Sequence, residues 1–395
     1  MDMKEPRYAW VVVWATFTCL AVIFGVAYSF AAFFESFSNE FAARRADVSL
    51  VFALSGGVYF VFGAVGGMLA DRFGARAVCC SGMVLIALGL WASSLASSMA
   101  MIYASYGVGI GLGIALVYTP SIGCVPPWFT HRRGFAAGLA SAGIGAGTVL
   151  VPLIAASTIS LLDWRTALRV LAIGVLLIGV GAAWLLRRAP LQSSTASAHS
   201  TGLTLRDALH TTRFWWLYLG VLTAAPTMFI PFAHASAAAR DLGISEARSV
   251  GLVGIIGIGS LVGRFAIGAL ADRIGRLRAL TLLQASMALS YLLWWGAGGY
   301  VALALFALWF GLSYGGIVSL LPALCMDLFG ARAVSSIIGT LYTGAAIGNL
   351  FGPVVAGAVF DARANYVAVI VGCLALSTVA VTASARLARI RVAVY

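Results

Sequence analysis

The sequence predicts an all-α membrane protein with twelve transmembrane helices in two six-helix bundles, and three observations carry that expectation. The chain of 395 residues is 62% hydrophobic and only 10% charged, whereas a soluble globular domain is about half apolar and roughly a quarter charged. Apolar runs of about 20 residues, enough to cross a hydrocarbon core of about 30 Å, recur from one end to the other. A gapless shift of 201 residues lays the Gly, Pro and Asp-Arg landmarks of one half on those of the other.

The runs cover residues 8–34, 48–70, 77–96, 100–122, 134–158, 166–186, 214–238, 249–271, 278–297, 299–324, 334–359 and 365–385. The first is too long for the apolar stretch of a signal peptide and no small-residue cleavage site follows it, so it reads as a retained helix. No barrel-type alternation is present, which leaves helices as the way to satisfy backbone polar groups in lipid. With the N-terminus inside, cytoplasmic segments carry seventeen of the 25 Lys and Arg residues and outer loops seven, with Arg264 left within a span. Both termini are therefore expected in the cytoplasm. The net charge of +12 is then a topology signal, and no nucleic-acid partner is expected. The six cysteines lie in or at the ends of spans without metal-ligand spacing, so neither a metal nor another cofactor is expected. The expected setting is the bilayer of the cytoplasmic membrane, with the chain as a monomer.

Under the shift, Gly56 meets Gly257, Gly67 meets Gly268, Asp71-Arg72 meets Asp272-Arg273, Gly74 meets Gly275 and Pro152 meets Pro353. An even number of spans per half preserves direction, so the halves are expected to be parallel repeats about an axis along the membrane normal. The Ser/Thr-rich stretch from Arg187 to Arg213 separates them. The expected division is residues 1–186, a cytoplasmic linker 187–213, and residues 214–395.

Two segments, "GGMLADRFGARA" (Gly66–Ala77) and "IGALADRIGRLRA" (Ile267–Ala279), resemble the signature loop of major facilitator transporters, once per half. That resemblance implies a secondary transporter working by alternating access, with Gly67, Asp71, Arg72, Gly268, Asp272 and Arg273 as its gate. The glycines let helices approach closely, and the carboxylates can pair with arginines or a helix N-terminus in one gate state. The stretch Gly107–Leu153, with Trp128-Phe129, then Arg132-Arg133-Gly134, then glycines spaced through "GLASAGIGAG", is similar to the monocarboxylate transporter family and the related oxalate–formate antiporters. "AYSFAAFFESF" (Ala27–Phe37) also fits. This implies transport of a small monocarboxylate together with a proton; organic-anion exchange, or carriage of another small anionic metabolite, is the alternative.

Arg264 is the clearly embedded charge, seven residues before the cytoplasmic end of the eighth run, hence about 10 Å deep at about 1.5 Å per residue. Its partner under the shift is Gly63, so the repeat does not demand a charge there. Burying an arginine costs about 2.5–3.5 kcal/mol on insertion scales, and the thirteen acidic residues all fall in loops or near span ends. An anionic substrate would offset that cost; Arg264 could instead donate to carbonyls or snorkel. The monocarboxylate family carries a substrate-binding arginine on this span, and Arg264 matches it. The family's aspartate four residues earlier is here Ser260, Tyr28 stands about where the family often has a first-span lysine, and the span-11 lysine of the oxalate-type antiporters has no counterpart, the one lysine of the chain being Lys4. A single positive charge suits a monoanion.

By depth, Tyr118, Ser141, Tyr314 and Tyr342 are expected near Arg264 as hydroxyl donors to the second carboxylate oxygen. His234 is a possible proton carrier, and Tyr28 and Asn349 are possible polar lining. A cation exporter would bury a carboxylate, a sugar porter would embed more amides than Gln284 and Asn349, and an enzyme would show a nucleophile–base or metal motif. None of these patterns occurs, so the chain is not expected to be an enzyme; a non-transporting sensor of the same fold stays open.

Overall fold

A computed structural model describes residues 6–129, 133–187, 202–330 and 333–390; within its helices the side chains at 71, 133–135, 267–270, 272 and 335 lie outside the described set. The chain is helical almost throughout. The long helices are α1 (Arg7–Glu40), α2 (Arg45–Phe73) and α3 (Ala75–Ser94), then α4 (Met99–Trp128), α5 (Arg133–Leu161) and α6 (Trp164–Trp184). After Arg187 they continue as α7 (Thr212–Asp241), α8 (Glu246–Ile274), α9 (Arg276–Trp295), α10 (Tyr300–Phe329), α11 (Val334–Arg363) and α12 (Val367–Arg389).

Among the described residues eleven helices are long and apolar enough to cross a membrane, one fewer than the sequence predicts. The exception is α9, which is 20 residues long but opens with Arg276 and Arg278 and carries Gln284 and four hydroxyl side chains. Those residues dilute every window along it.

The Asp-Arg loops are the tightest reversals. Gly74 ends α2 at φ 90° and Gly275 ends α8 at φ 90°, in the left-handed region that a side chain strains. The next helix begins one residue later in both cases. The helix pairs α1–α5, α2–α4, α3–α4 and α3–α6 recur as α7–α11, α8–α10, α9–α10 and α9–α12, while α2–α11 and α5–α8 join the first six helices to the last six. Close approach of α2 to α4 rests on Gly66, where a Cβ would come within 2.2 Å of the Ala115 carbonyl oxygen. At Gly67, the position expected to matter, a Cβ would lie 3.3 Å from Thr119 Cγ2, which a small shift accommodates.

Of the expected linker, Arg187 and the residues from Gly202 onward are described. Leu203 N–H donates to the Phe329 carbonyl, and Thr204 with Asp207 forms a reciprocal cap on the short helix Leu205–Leu209. Of the expected gate residues, Asp71, Gly268 and Asp272 lie outside the described residues. Arg72 sits 5.2 Å over the Phe73 ring, and Arg273 is exposed. All six cysteines are free thiols.

Candidate functional site

A cavity of ≈ 880 Å³, its open mouth included, lies at the centre of the helices, between α1, α2, α4 and α5 on one side and α7–α12 on the other. Leu217 and Leu280, near the starts of α7 and α9, line its end towards the chain termini. Arg264 is, among the described residues, the charged group in its wall. The arginine is 9% exposed, and its Nε and Nη2 are buried without a hydrogen-bond partner. Those two nitrogens form one edge of the guanidinium plane, the side-on fork that matches a carboxylate's two oxygens. No carboxylate among the described residues pairs with Arg264, and the Ser260 hydroxyl, one turn earlier on α8, is also buried without a partner. A buried charged donor edge left empty is costly, so the site has the form of a receptor for an anion.

Tyrosines share the cavity wall with Arg264. Tyr118, Tyr314 and Tyr342 line the cavity as the sequence predicts, and Tyr59 joins them. The hydroxyls of Tyr28 on α1 and Tyr314 on α10 are 3.0 Å apart. This bond crosses from the first six helices to the last six, and the Tyr28 ring stacks on Phe232 at 4.1 Å. Phe24 stands edge-on to Tyr118 at 5.3 Å. Ser141 is elsewhere: its hydroxyl donates to the Gly138 carbonyl of its own helix, and it is not part of the cavity wall. Asn349 donates to the Ala53 carbonyl of α2 at 3.2 Å, leaving its Oδ1 unpartnered. Tyr59, Phe24 and Phe229 were not singled out from sequence, since an aromatic on an apolar helix carries no sign of the face it occupies.

The opposite end, away from the termini, is closed by charged contacts between the halves. Arg240 Nε of α7 lies 2.6 Å from Glu35 Oε2 of α1. Arg45 of α2 is bidentate on Asp241 of α7, with Nη1 at 2.8 Å from Oδ2, and its guanidinium lies 3.7 Å over the Phe360 ring. The Asp361 carboxylate of α11 accepts from the backbone N–H groups of Arg45 and Ala46 at 3.1 and 3.0 Å, capping the N-terminus of α2, where the helix dipole favours an anion.

His234 is fully buried just inside these pairs. Its Nε2 is 2.8 Å from the Pro353 carbonyl and its Nδ1 is 3.1 Å from the Tyr366 hydroxyl, which takes a hydrogen bond from Arg45 Nη1 at 2.7 Å. A carbonyl only accepts, so Nε2 carries the proton and Nδ1 accepts from Tyr366; the ring is neutral in this arrangement. Burial holds the Tyr366 phenol above its ordinary range, with the Arg45 charge acting in the opposite direction, so that hydroxyl keeps its proton. Ser49 donates to the Arg45 carbonyl and offers its oxygen to Nε2 at 3.1 Å.

The model of the Major Facilitator Superfamily matches residues 16–353 and 227–391. Rat monocarboxylate transporter 13 is 30% identical over 374 residues, which span 93% of this chain and 86% of that protein. Mouse monocarboxylate transporter 3 is 30% identical over 373 residues, 92% and 76% of the two chains. The uncharacterized MFS-type transporter YhjX of Escherichia coli is 24% identical over 331 residues, 82% of each. In fold, the chain matches a bacterial homologue of the human lysosomal transporter Spinster in an inward-facing, occupied conformation, with a TM-score of 0.73 at 16% identity over 97% and 96% of the chains. The chain is a multi-pass membrane protein of the Major Facilitator Superfamily, a transporter rather than an enzyme, with monocarboxylate transporters among its relatives.

Proposed function

We propose that this chain is a twelve-helix carrier that moves a small monocarboxylate across the cytoplasmic membrane by alternating access, together with a proton. In this reading α9 is the remaining span, residues 1–186 and 214–395 are two six-helix bundles joined by the linker 187–213, both termini are cytoplasmic, and the monomer is the working unit. The observation that carries it is Arg264 in the wall of the central cavity with its buried Nε and Nη2 unpartnered. The names of the relatives support the carboxylate, and the lone cation supports a monoanion. With cytoplasmic termini, the Glu35–Arg240 and Arg45–Asp241 pairs shut the outer mouth and the cavity faces inward. Asp71, Arg72, Asp272 and Arg273 form the cytoplasmic gate when the cavity turns outward, with Gly67 and Gly268 at the helix contacts beside them.

A monoanion on Arg264 makes a neutral pair, which crosses the dry intermediate state at lower cost than a bare buried arginine. The proton has a seat in His234, neutral when the outer mouth is closed and open to protonation once that mouth parts. A second reading, anion exchange, is favoured by the absence of a described carboxylate beside Arg264, because the empty carrier then returns with its charge unmet. Net uptake and equilibrium exchange of labelled lactate, pyruvate, acetate, formate and oxalate in proteoliposomes, with and without a proton gradient, separate the two. Net uptake driven by the gradient supports symport; exchange without gradient-driven net uptake supports exchange. No Arg264-dependent movement of any anion would remove both.

A further inference from the structure

The wall of the cavity says more than the charge on Arg264. Sharing the cavity wall with Arg264 are Phe24 of α1, Ile144 of α5, Met228 and Phe229 of α7, and Ile317 of α10. Among the polar groups of the wall, the Tyr314 hydroxyl pairs with Tyr28, Gln284 accepts from the Ser384 hydroxyl, and the Tyr118 and Tyr342 hydroxyls bond to each other. A polyhydroxylated acid entering this space would give up water for few partners beyond the arginine and these tyrosines, at the cost of unmade hydrogen bonds. An acetate-sized acid would satisfy the arginine and leave the apolar wall unfilled.

The aromatic side chains are arranged in a way that accepts another ring. Phe60 of α2 stands edge-on to both Phe229 of α7 at 5.7 Å and Tyr342 of α11 at 5.6 Å. Offset and edge-to-face contacts of this kind favour aromatic pairs beyond their buried area. The three helices come from both halves of the chain, so a body lodged among them touches both.

We infer that the carboxylate seated on Arg264 belongs to a molecule with an apolar body of aryl or branched-alkyl size, in preference to acetate-sized or polyhydroxylated acids. This rests on the anion-site reading given above and names the substrate class of that same site. The charged end would lie on the Nε–Nη2 edge, with the body against Phe24, Ile144 and Phe229. Tyr118 and Tyr342 would offer hydroxyls to the carboxylate.

The test is calorimetric titration of the purified full chain in detergent with phenylacetate, acetate, gluconate and the neutral phenylacetamide. The expected result is phenylacetate at least about tenfold tighter than acetate or gluconate, about 1.4 kcal/mol. Phenylacetamide, and phenylacetate with the Arg264→Ala chain, should bind at least about tenfold more weakly than phenylacetate with the native chain. Acetate or gluconate binding as tightly as phenylacetate, still dependent on Arg264, would overturn the inference and leave the anion site standing. Phenylacetamide binding as tightly as phenylacetate, binding indifferent to Arg264, or no binding of any acid would overturn both.

Discussion

His234 on α7 donates through Nε2 to the Pro353 carbonyl on α11, 2.8 Å away, and that one bond sets the polarity of the circuit behind it. With Nε2 protonated, Nδ1 is the acceptor for Tyr366, whose oxygen takes Arg45. A proton added to Nδ1 would face the Tyr366 hydroxyl proton and bring a second cation beside Arg45. The groups around the ring are Arg45 from α2, Asp241 on α7, Asp361 on α11 and Tyr366 before α12, with Phe34 of α1 edge-on at 5.8 Å.

The sign follows from the bonds: the neutral ring closes the outer end, and the charged ring loosens it. Net uptake is therefore expected to rise as the outer medium goes from about pH 8 to about pH 5.5, across the ordinary histidine range. A His234→Gln chain can still donate to Pro353 and accept from Tyr366, so it should close normally and lose most of that slope. A slope unchanged in His234→Gln would assign the proton to the substrate or to another group.

Arg45 and Asp241 make the second testable contact. The pair is partly exposed, with side chains 20% and 36% accessible, and exposed pairs contribute about 1 kcal/mol or less. Arg45→Ala also removes the donor to Tyr366 and the cation over Phe360, so its effect should exceed that of Asp241→Asn. Arg45→Ala should raise the fraction of chains open to the outside about tenfold, read as labelling, by an impermeant thiol reagent applied outside, of a Ser55→Cys chain, Ser55 being a buried residue of α2 that lines a small pocket with Tyr28 and Asn349. Labelling no faster than in the parent would show that the ion pairs do not hold the outer mouth.

Asp71→Asn and Asp272→Asn should act on the opposite end. Each is expected to change the transport rate and the balance of accessibility from the two sides. Affinity for substrate, corrected for the fraction of competent chains, should stay within about twofold of the parent. Unchanged accessibility in both variants would count against a gate at the Asp-Arg loops.

Much of this architecture is written in local sequence. The long apolar runs became helices because composition alone dictates that in lipid, and Gly74 and Gly275 end α2 and α8 with matching backbone angles. Arg264 was legible because a charge in an apolar run has a cost that something must meet. The orientation of its free Nε–Nη2 edge was not, since depth along a helix is set by count but direction around it is set by packing. Ser141 shows the same limit: its hydroxyl bonds back to Gly138 and it takes no part in the cavity wall. At the α2–α4 contact the tight position is Gly66 and not Gly67, a one-residue difference that turns the contact about 100° around the helix. The closed end was the least legible part. Glu35, Arg45, Asp241 and Asp361 look like ordinary span-end charges, and Arg45 finds Asp241 across 196 residues of chain.

The most direct test is the affinity of a monocarboxylate for the native chain, Arg264→Lys and Arg264→Ala, measured on protein shown to insert and fold normally. The free edge offers two charge-assisted hydrogen bonds, together about 3 kcal/mol, which is about a hundredfold in affinity. Arg264→Ala should lose at least that much, and Arg264→Lys, which keeps the charge without the fork, should fall between. An Arg264→Ala chain that binds and transports the acid within about twofold of the native chain, about 0.4 kcal/mol, would contradict the account at its centre.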